Sequence, residues 1–330
     1  MARALEDRYE ITVITARMRR SLPREEMMGR VRVVRVGFGV RLDKWLYPAL
    51  AARAACRMKP DLIHAVLESF AGEALVRCAA KRPAVPRLLT CQSTNTRLRL
   101  EQIHRAAHRI TAISSVLVDR AKKFKHRHVM LIPNGIPLSD IERERKRTAK
   151  IPGRILFVGR LEPMKGVDIL LEACAKILKE GVADGLRIVG SGSQERFLRR
   201  RAKQLDIAEH VTFVGYLSPP AVYHEFAEAP IFCALSRSEA LGNVFLEAQA
   251  AGCAVLATKT GGIPDIVKDG ETGLLVKPDN VKAATETLRQ LLDDPQLREH
   301  LSKAAIQHAR EYDWGTIAER YATVYEDMLG

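Results

Sequence analysis

Apolar residues between positions 151 and 330 gather into short strand-length runs: Ile155–Val158, Leu186–Val189, Val211–Val214, Ile231–Leu235, Ala254–Ala257 and Gly273–Val276. Between the runs they recur every three or four positions, as in Val167–Lys179 and Ser193–Gln204. The runs predict strands buried on both faces, and the intervening segments predict amphipathic helices laid over a parallel sheet. Residues 1–150 repeat the theme. Strand candidates are Glu10–Thr15, Val31–Val36, Leu62–Val66, Leu88–Cys91, Ile110–Ile113 and Val129–Ile132, with helices over Leu42–Lys59 and Phe70–Ala80. The expected fold class is α/β, as two Rossmann-like doubly wound domains facing across a cleft at the carboxyl ends of their strands. Asp140–Lys150, charged and poor in apolar residues, reads as an interdomain linker with room for some helix, giving domains 1–148 and 149–312.

A chain of 330 residues suits two such cores. No run of about 18 uncharged apolar residues predicts a membrane-spanning helix. The first residues lack the pattern of a basic start, an apolar stretch and a small-residue cleavage site, so a cytoplasmic location is expected. The six cysteines are scattered without a Cys-x-x-Cys, which favours buried thiols over a disulfide framework.

Charge alters the picture more. Residues 1–150 hold 32 Lys and Arg against 14 Asp and Glu, whereas residues 151–330 hold 21 against 25. The basicity belongs to the first half alone, which suggests an anionic partner for it. Met1–Arg8 reads as the end of a helix entering the Glu10 strand. A doubly wound domain starts one strand earlier, with a glycine-rich turn, so upstream sequence is expected to supply both.

Three segments of the second half carry candidate chemistry. In Phe157–Gly166 a strand ends, Gly159 turns the chain, and Arg160 and Lys165 stand before the next helix. Two cations beside a helix N-terminus suit a diphosphate; solvated charges on a plain connection are the other reading. In Ser236–Ala248, Gly242 permits close backbone approach and Asn243 suits an N-cap. The amides of Asn243, Val244 and Phe245 are then left to face an oxygen ligand. Glu239 in the loop and Glu247 one turn into the helix offer carboxylates that can each accept two hydrogen bonds from sugar or ribose hydroxyls. In Thr260–Val267, Gly261 and Gly262 make a thin loop at a strand end. No Asp-x-Asp of the kind that holds Mg²⁺ occurs, so no metal and no cofactor beyond the donor substrate is expected.

Together these segments resemble the donor domain of family-4 retaining glycosyltransferases of the GT-B architecture, over about residues 154–276 and more loosely to 329. The hallmark is two glutamates separated by seven residues, here Glu239 and Glu247, with the Val-Gly-Arg-Leu…Lys-Gly segment and the Gly-Gly-Ile-Pro loop. The resemblance implies that Arg160 and Lys165 bind the donor diphosphate, that Glu247 holds the ribose and that Glu239 contacts the transferred sugar. It implies a hexose moved from a nucleoside diphosphate sugar to a glycan or lipid-linked acceptor, with retention and without a metal. By analogy, the helix at 313–330 crosses back to the first domain. Asn134-Gly135 resembles the Pro-Asn-Gly segment that closes the first domain of such enzymes.

The first half departs from the pattern. Many members carry a histidine at the position of Val66; here His64 lies two residues earlier, on the same face of the strand. An acceptor-side role for His64 stands beside a structural one. Arg17, Arg19, Arg20, Arg24, Arg30, Arg32 and Arg35 precede Phe38, Trp45, Leu46 and Tyr47. Exposed aromatics beside cations would suit a peripheral contact with the inner membrane face, and several family members glycosylate lipid acceptors there. The alternative is a solvated basic surface over a buried Trp45–Tyr47 helix face. Nucleic acid is disfavoured because stacking aromatics are few. The competing functions are a non-catalytic sugar-nucleotide-binding protein or partner subunit, and a basic membrane- or nucleic-acid-binding protein reusing the fold.

Overall fold

The computed structural model describes residues 1–94, 99–124 and 128–330. The chain divides into two compact units, one of Met1–Gly135 with Trp314–Gly330 and the other of Ile136–Asp313.

The second unit is built on six parallel strands: β8 (Arg154–Val158), β9 (Gly185–Val189), β10 (Val211–Gly215), β11 (Ile231–Ala234), β12 (Ala254–Thr258) and β13 (Leu274–Val276), in the order β10-β9-β8-β11-β12-β13. The order in which strands are added reverses between β8 and β11, where Ile231 pairs in parallel with Ile155. β11 and β12 are buried at every position, which is why they read as continuous apolar runs. Helices α6 (Val167–Lys179) and α9 (Asn243–Ala250) follow β8 and β11, and α7 (Glu195–Gln204), α10 (Ile263–Ile266), α11 (Val281–Asp293) and α12 (Pro295–Ala309) belong to the same unit.

The expected boundary at 148/149 falls instead between Gly135 and Ile136. The stretch expected as a linker is a helix, α5 (Leu138–Arg147), which buries Ile141 and packs on α9 and on α8 (Ala221–Glu228). Glu, Arg and Lys are good helix formers, so one buried apolar residue suffices to anchor a ten-residue helix. Lys150 then donates to the carbonyls of Phe226, Ala229 and Ala251, tying the segment to this unit.

The first unit holds two sheets. One has the order β1-β3-β2, from β1 (Thr12–Ala16), β2 (Glu25–Met28) and β3 (Val31–Val36), with β2 antiparallel to β3. The other has the order β4-β5-β6-β7, all parallel, from β4 (Ile63–Val66), β5 (Arg87–Cys91), β6 (Arg109–Ala112) and β7 (Val129–Leu131). The connecting helices are α1 (Asp43–Met58), α2 (Phe70–Lys81), α3 (Leu100–Ala106) and α4 (Ser115–Lys123). Met1–Arg8, expected to be helical, forms only a short 3-10 turn over Ala2–Ala4. The final helix, α13 (Trp314–Leu329), places Ile317, Tyr321 and Tyr325 in one core with Leu5, Leu88 and Ile132. Among the described residues the six cysteines are unbridged.

Candidate active site

The loops leaving β8, β11 and β12 hold nearly all the expected donor-side residues. After β8 the backbone runs through Arg160 and turns at Gly166, whose φ of 62° starts α6. A side chain at Gly166 would strike the Leu235 carbonyl at the end of β11, so glycine is what lets the two loops touch. The contact is reinforced where the Arg237 amide donates to the Met164 carbonyl at 2.8 Å.

Lys165 and Glu239 meet in this place. Their ammonium and carboxylate form a close ion pair, both part-buried. The sequence did not disclose what holds the pair. Arg237 makes a fork of two bonds to Asp168 at 2.7 and 3.0 Å, one to Asp279 at 2.6 Å and one to the Pro163 carbonyl at 2.6 Å. Hydrogen bonds to Asp168 and Asp279 push its guanidinium pKa up. Arg237 therefore clamps the Lys165 loop to the Glu239 loop and is itself spent on that task.

From the other side Gly261, at φ 54°, lies against the Glu239 carbonyl, where any Cβ would collide with it. The Gly262 amide donates to that same oxygen at 3.1 Å. Gly261 and Gly262 thus support the Glu239 loop from beneath through their backbone. Thr258 Oγ1 donates to the Ser236 carbonyl at 2.5 Å, continuing the support.

The cap of α9 differs from expectation. The N-cap is Gly242 in the left-handed conformation, φ 92°, and Asn243 is the first helical residue. An N-cap in that conformation favours glycine, since Cβ would crowd Phe245 and Glu239. The Phe245 amide, expected to be unpaired, donates to the Gly242 carbonyl at 2.9 Å. Asn243 and Val244 open the helix, so their amides stand ahead of its first i−4 bond. Glu247 sits in the next turn and is part-buried; burial pushes its carboxyl pKa up to about 7. Among the described residues it has no ion-pair partner. Arg160 is exposed and lies near enough to Glu162 for the two charges to interact.

In the first unit, both ring nitrogens of His64 are engaged. Nδ1 lies 2.8 Å from the Tyr325 hydroxyl and Nε2 2.6 Å from Thr90 Oγ1. Burial lowers its pKa to about 4, so the ring is neutral and ties β4 to α13. Asn134 accepts from Gln92 Nε2 at 3.0 Å, and Gly135 lies against the Trp314 ring. A buried cluster that the sequence did not reveal lies after β4: Glu68 pairs with Arg120 and with His104 Nε2 at 2.9 Å.

Leu42, Trp45 and Leu46 are exposed at the start of α1, as the reading of exposed aromatics beside cations requires and the alternative of a buried Trp45–Tyr47 face does not; Trp45 is 64% exposed. Tyr47 instead turns inward to donate to the Ile14 carbonyl at 2.9 Å. Asp43 accepts amide hydrogens from Phe38, Gly39 and Val40 at 2.8, 2.6 and 3.1 Å, fixing a loop that presents Phe38 outward. Arg19, Arg20, Arg41 and Lys44 are exposed in the same stretches of chain. No described helix is long and apolar enough to cross a membrane.

Residues 139–308 match the family model described as glycosyl transferases group 1, and residues 1–140 match that described as glycosyltransferase family 4. The chain is 32% identical over 181 residues to the D-inositol 3-phosphate glycosyltransferase of Corynebacterium glutamicum, covering 53% of this chain and 43% of that protein. With the Streptomyces coelicolor protein of the same name it shares 38% over 179 residues, covering 52% of this chain and 39% of the relative. The matched stretch thus spans less than half of each relative. Among solved structures, sucrose-phosphate synthase from Thermosynechococcus elongatus superposes with a TM-score of 0.85 at 21% identity, over 98% of this chain and 90% of that one. Anabaena Alr3699/HepE, solved in complex with UDP, gives 0.72 at 21% identity, over 90% and 86%. A family match across more than half the chain, joined to this strand order and these loops, makes the chain a member of the family-4 glycosyltransferases with the GT-B fold.

Proposed function

We propose that the chain transfers a hexose from a nucleoside diphosphate sugar to a hydroxyl of a glycan or lipid-linked acceptor, with retention and without a metal. The observation that carries this reading is the Lys165–Glu239 pair, clamped by Arg237 where β8 and β11 diverge. The crevice at the carboxyl ends of strands where the order reverses is where such sheets bind ligands. Arg160, Lys165 and the first amides of α9 supply positive charge for the diphosphate. Glu247 takes the ribose hydroxyls and Glu239 the sugar.

In the proposed reaction the bond from the anomeric carbon to the diphosphate oxygen breaks, and its electron pair leaves with the diphosphate. The acceptor oxygen bonds to that carbon from the same face and its proton passes to the departing phosphate oxygen. Lys165 and Arg160 stabilise the charge that grows on the leaving group, the role a divalent cation fills elsewhere. Complexes of Anabaena Alr3699/HepE with UDP, with UDP and glucose, and with UDP-glucose support a nucleotide-sugar donor by kinship of fold.

Calorimetry with UDP, GDP and ADP tests the donor site. One of the three is expected to bind, and the Arg160→Ala, Glu247→Ala double variant is expected to lose it. If the folded wild-type chain bound none, the donor assignment would fall.

A peripheral contact with anionic membrane is proposed for the basic first half, because apolar Phe38, Leu42, Trp45 and Leu46 are exposed among Arg and Lys. Burying each large apolar side chain contributes about 1.5–3 kcal/mol. Trp45→Ser with Leu46→Ser should therefore lower partitioning onto phosphatidylserine vesicles by at least about tenfold. Equal sedimentation of both proteins with those vesicles would remove the membrane from consideration.

A further inference from the structure

A groove of about 320 Å³ opens in the first unit between α1 and the β2–β3 hairpin, and Arg24, Arg35, Arg53 and Arg57 are among the residues that line it. No lining residue comes from the parallel sheet β4–β7. The volume falls within the range of about 300–1,000 Å³ over which proteins hold small ligands. Val34, Val36, Leu50 and Ala54, buried or half-buried, make its floor, and Arg24, Arg53 and Arg57 are exposed around them.

Local structure places each arginine. Arg53 and Arg57 stand one turn apart on α1, so their Cβ atoms are about 5–6 Å apart on one face. Arg24 comes from the opposite wall, where the Arg35 amide donates to its carbonyl at 2.7 Å and extends the β2–β3 ladder. The Arg35 side chain is already engaged, with Nη1 on the Pro23 carbonyl at 3.2 Å and Nη2 on Glu26. It thereby anchors the chain on either side of Arg24.

The charges of the groove are not balanced locally. Glu25 is the one carboxylate among the lining residues, and Arg32 holds it through two hydrogen bonds at 2.7 and 3.2 Å. Asp43, at the head of α1, is buried and accepts from three backbone amides. Among the described residues Arg24, Arg53 and Arg57 have no ion-pair partner. Like charges at i,i+4 repel, so Arg53 and Arg57 cost the helix stability until an anion neutralises them.

We propose that this groove binds a phosphate monoester, held by Arg24, Arg53 and Arg57. A monoester carries about −1.5 to −2 charges near pH 7 and three strong acceptor oxygens, which suits three unpaired guanidinium groups. A diester or a carboxylate brings a single charge and leaves two of the cations facing each other. Guanidinium forks meet phosphate oxygens in pairs, and α1 presents two such forks from one face. The apolar floor suits the carbon skeleton of the ester, either a small polyol or the glycerol of a lipid headgroup. The groove needs neither the donor site nor the exposed aromatics of the membrane contact to hold such an ester.

Arginine side-chain NMR on the full chain, titrated with methyl phosphate at constant ionic strength, tests the groove. Saturable shifts are expected at the Nε–H groups of Arg24, Arg53 and Arg57, and none at Arg200, an exposed arginine of α7. Dimethyl phosphate, the diester, should bind at least about tenfold more weakly. Arg53→Gln with Arg57→Gln should weaken methyl phosphate by at least about tenfold. Arg57→Gln alone should melt no lower than wild type, since it relieves a repulsion, so its loss of binding is not a loss of fold. Vesicles of equal charge, made with phosphatidic acid or with phosphatidylserine, separate the two sources. A preference for phosphatidic acid that the double variant loses assigns the groove to a lipid headgroup. Equal sedimentation with both, beside saturable methyl phosphate binding, assigns it to a soluble ester. Shifts that extended to Arg200 would overturn the proposal, as would equal affinity for monoester and diester. Unchanged affinity in the folded double variant would overturn it too.

Discussion

Lys165→Ala is expected to lower turnover about 100- to 1000-fold while the second unit keeps its fold, because one preorganised donor to a leaving group contributes about 2.7–4 kcal/mol to the transition state. The Lys165 ammonium is paired with Glu239 and held part-buried. Its position is fixed before any substrate arrives, by the Gly166 turn on one side and the Arg237 clamp on the other. Preorganisation of this kind spares reorganisation during the reaction and favours a loss in kcat over a loss in KM. Lys165→Arg should not restore the rate, since a planar fork cannot replace a compact ammonium in the same contact. The measurement is a single-turnover rate with the nucleotide sugar that calorimetry selects. A variant within about threefold of wild type would remove Lys165 from the transition state and leave its pairing with Glu239 a structural one.

What the sequence disclosed and what it hid have physical reasons. Strands β11 and β12, and the middle of β8, were legible because a sheet covered on both faces demands apolar residues at its buried positions. The glutamates and cations of the site were legible because they lie within short loops at fixed spacing from those strands. Arg237 stands in the same loop as Glu239, yet its partners Asp168 and Asp279 are 69 and 42 positions away, and no local pattern announces them. The extent and docking of α5 were hidden because its buried apolar anchor is the single residue Ile141. β2 escaped because Glu25–Met28 is an edge strand with little buried surface and no alternation to read. The role of Asp43 as clamp of the Phe38 loop rests on three backbone amides, which sequence does not display.

Glu247→Gln is expected to make the protein more stable at pH 8.5 and to leave it nearly unchanged at pH 5. Burial raises the Glu247 pKa to about 7 in the folded chain, above its ordinary value of 4.5. A carboxyl whose folded pKa is raised favours the folded state while it is protonated. That contribution is complete below pH 4.5 and is lost as the pH climbs through 7. Above pH 7 the folded protein carries a carboxylate that burial disfavours, and neutral glutamine removes the cost. Since the group is part-buried and water reaches it, the gain is of order 2 kcal/mol, or roughly 4–8 °C in Tm for a unit of this size. Thermal melts of both proteins at the two pH values measure it, and equal shifts at pH 5 and 8.5 would contradict the assignment. The same substitution should weaken nucleotide binding, because glutamine offers one acceptor where the carboxylate offers two. A residue that costs stability in the empty protein and contributes affinity in the occupied one is what a ribose-binding carboxylate requires. The opposed signs of the two effects separate that role from a purely structural one.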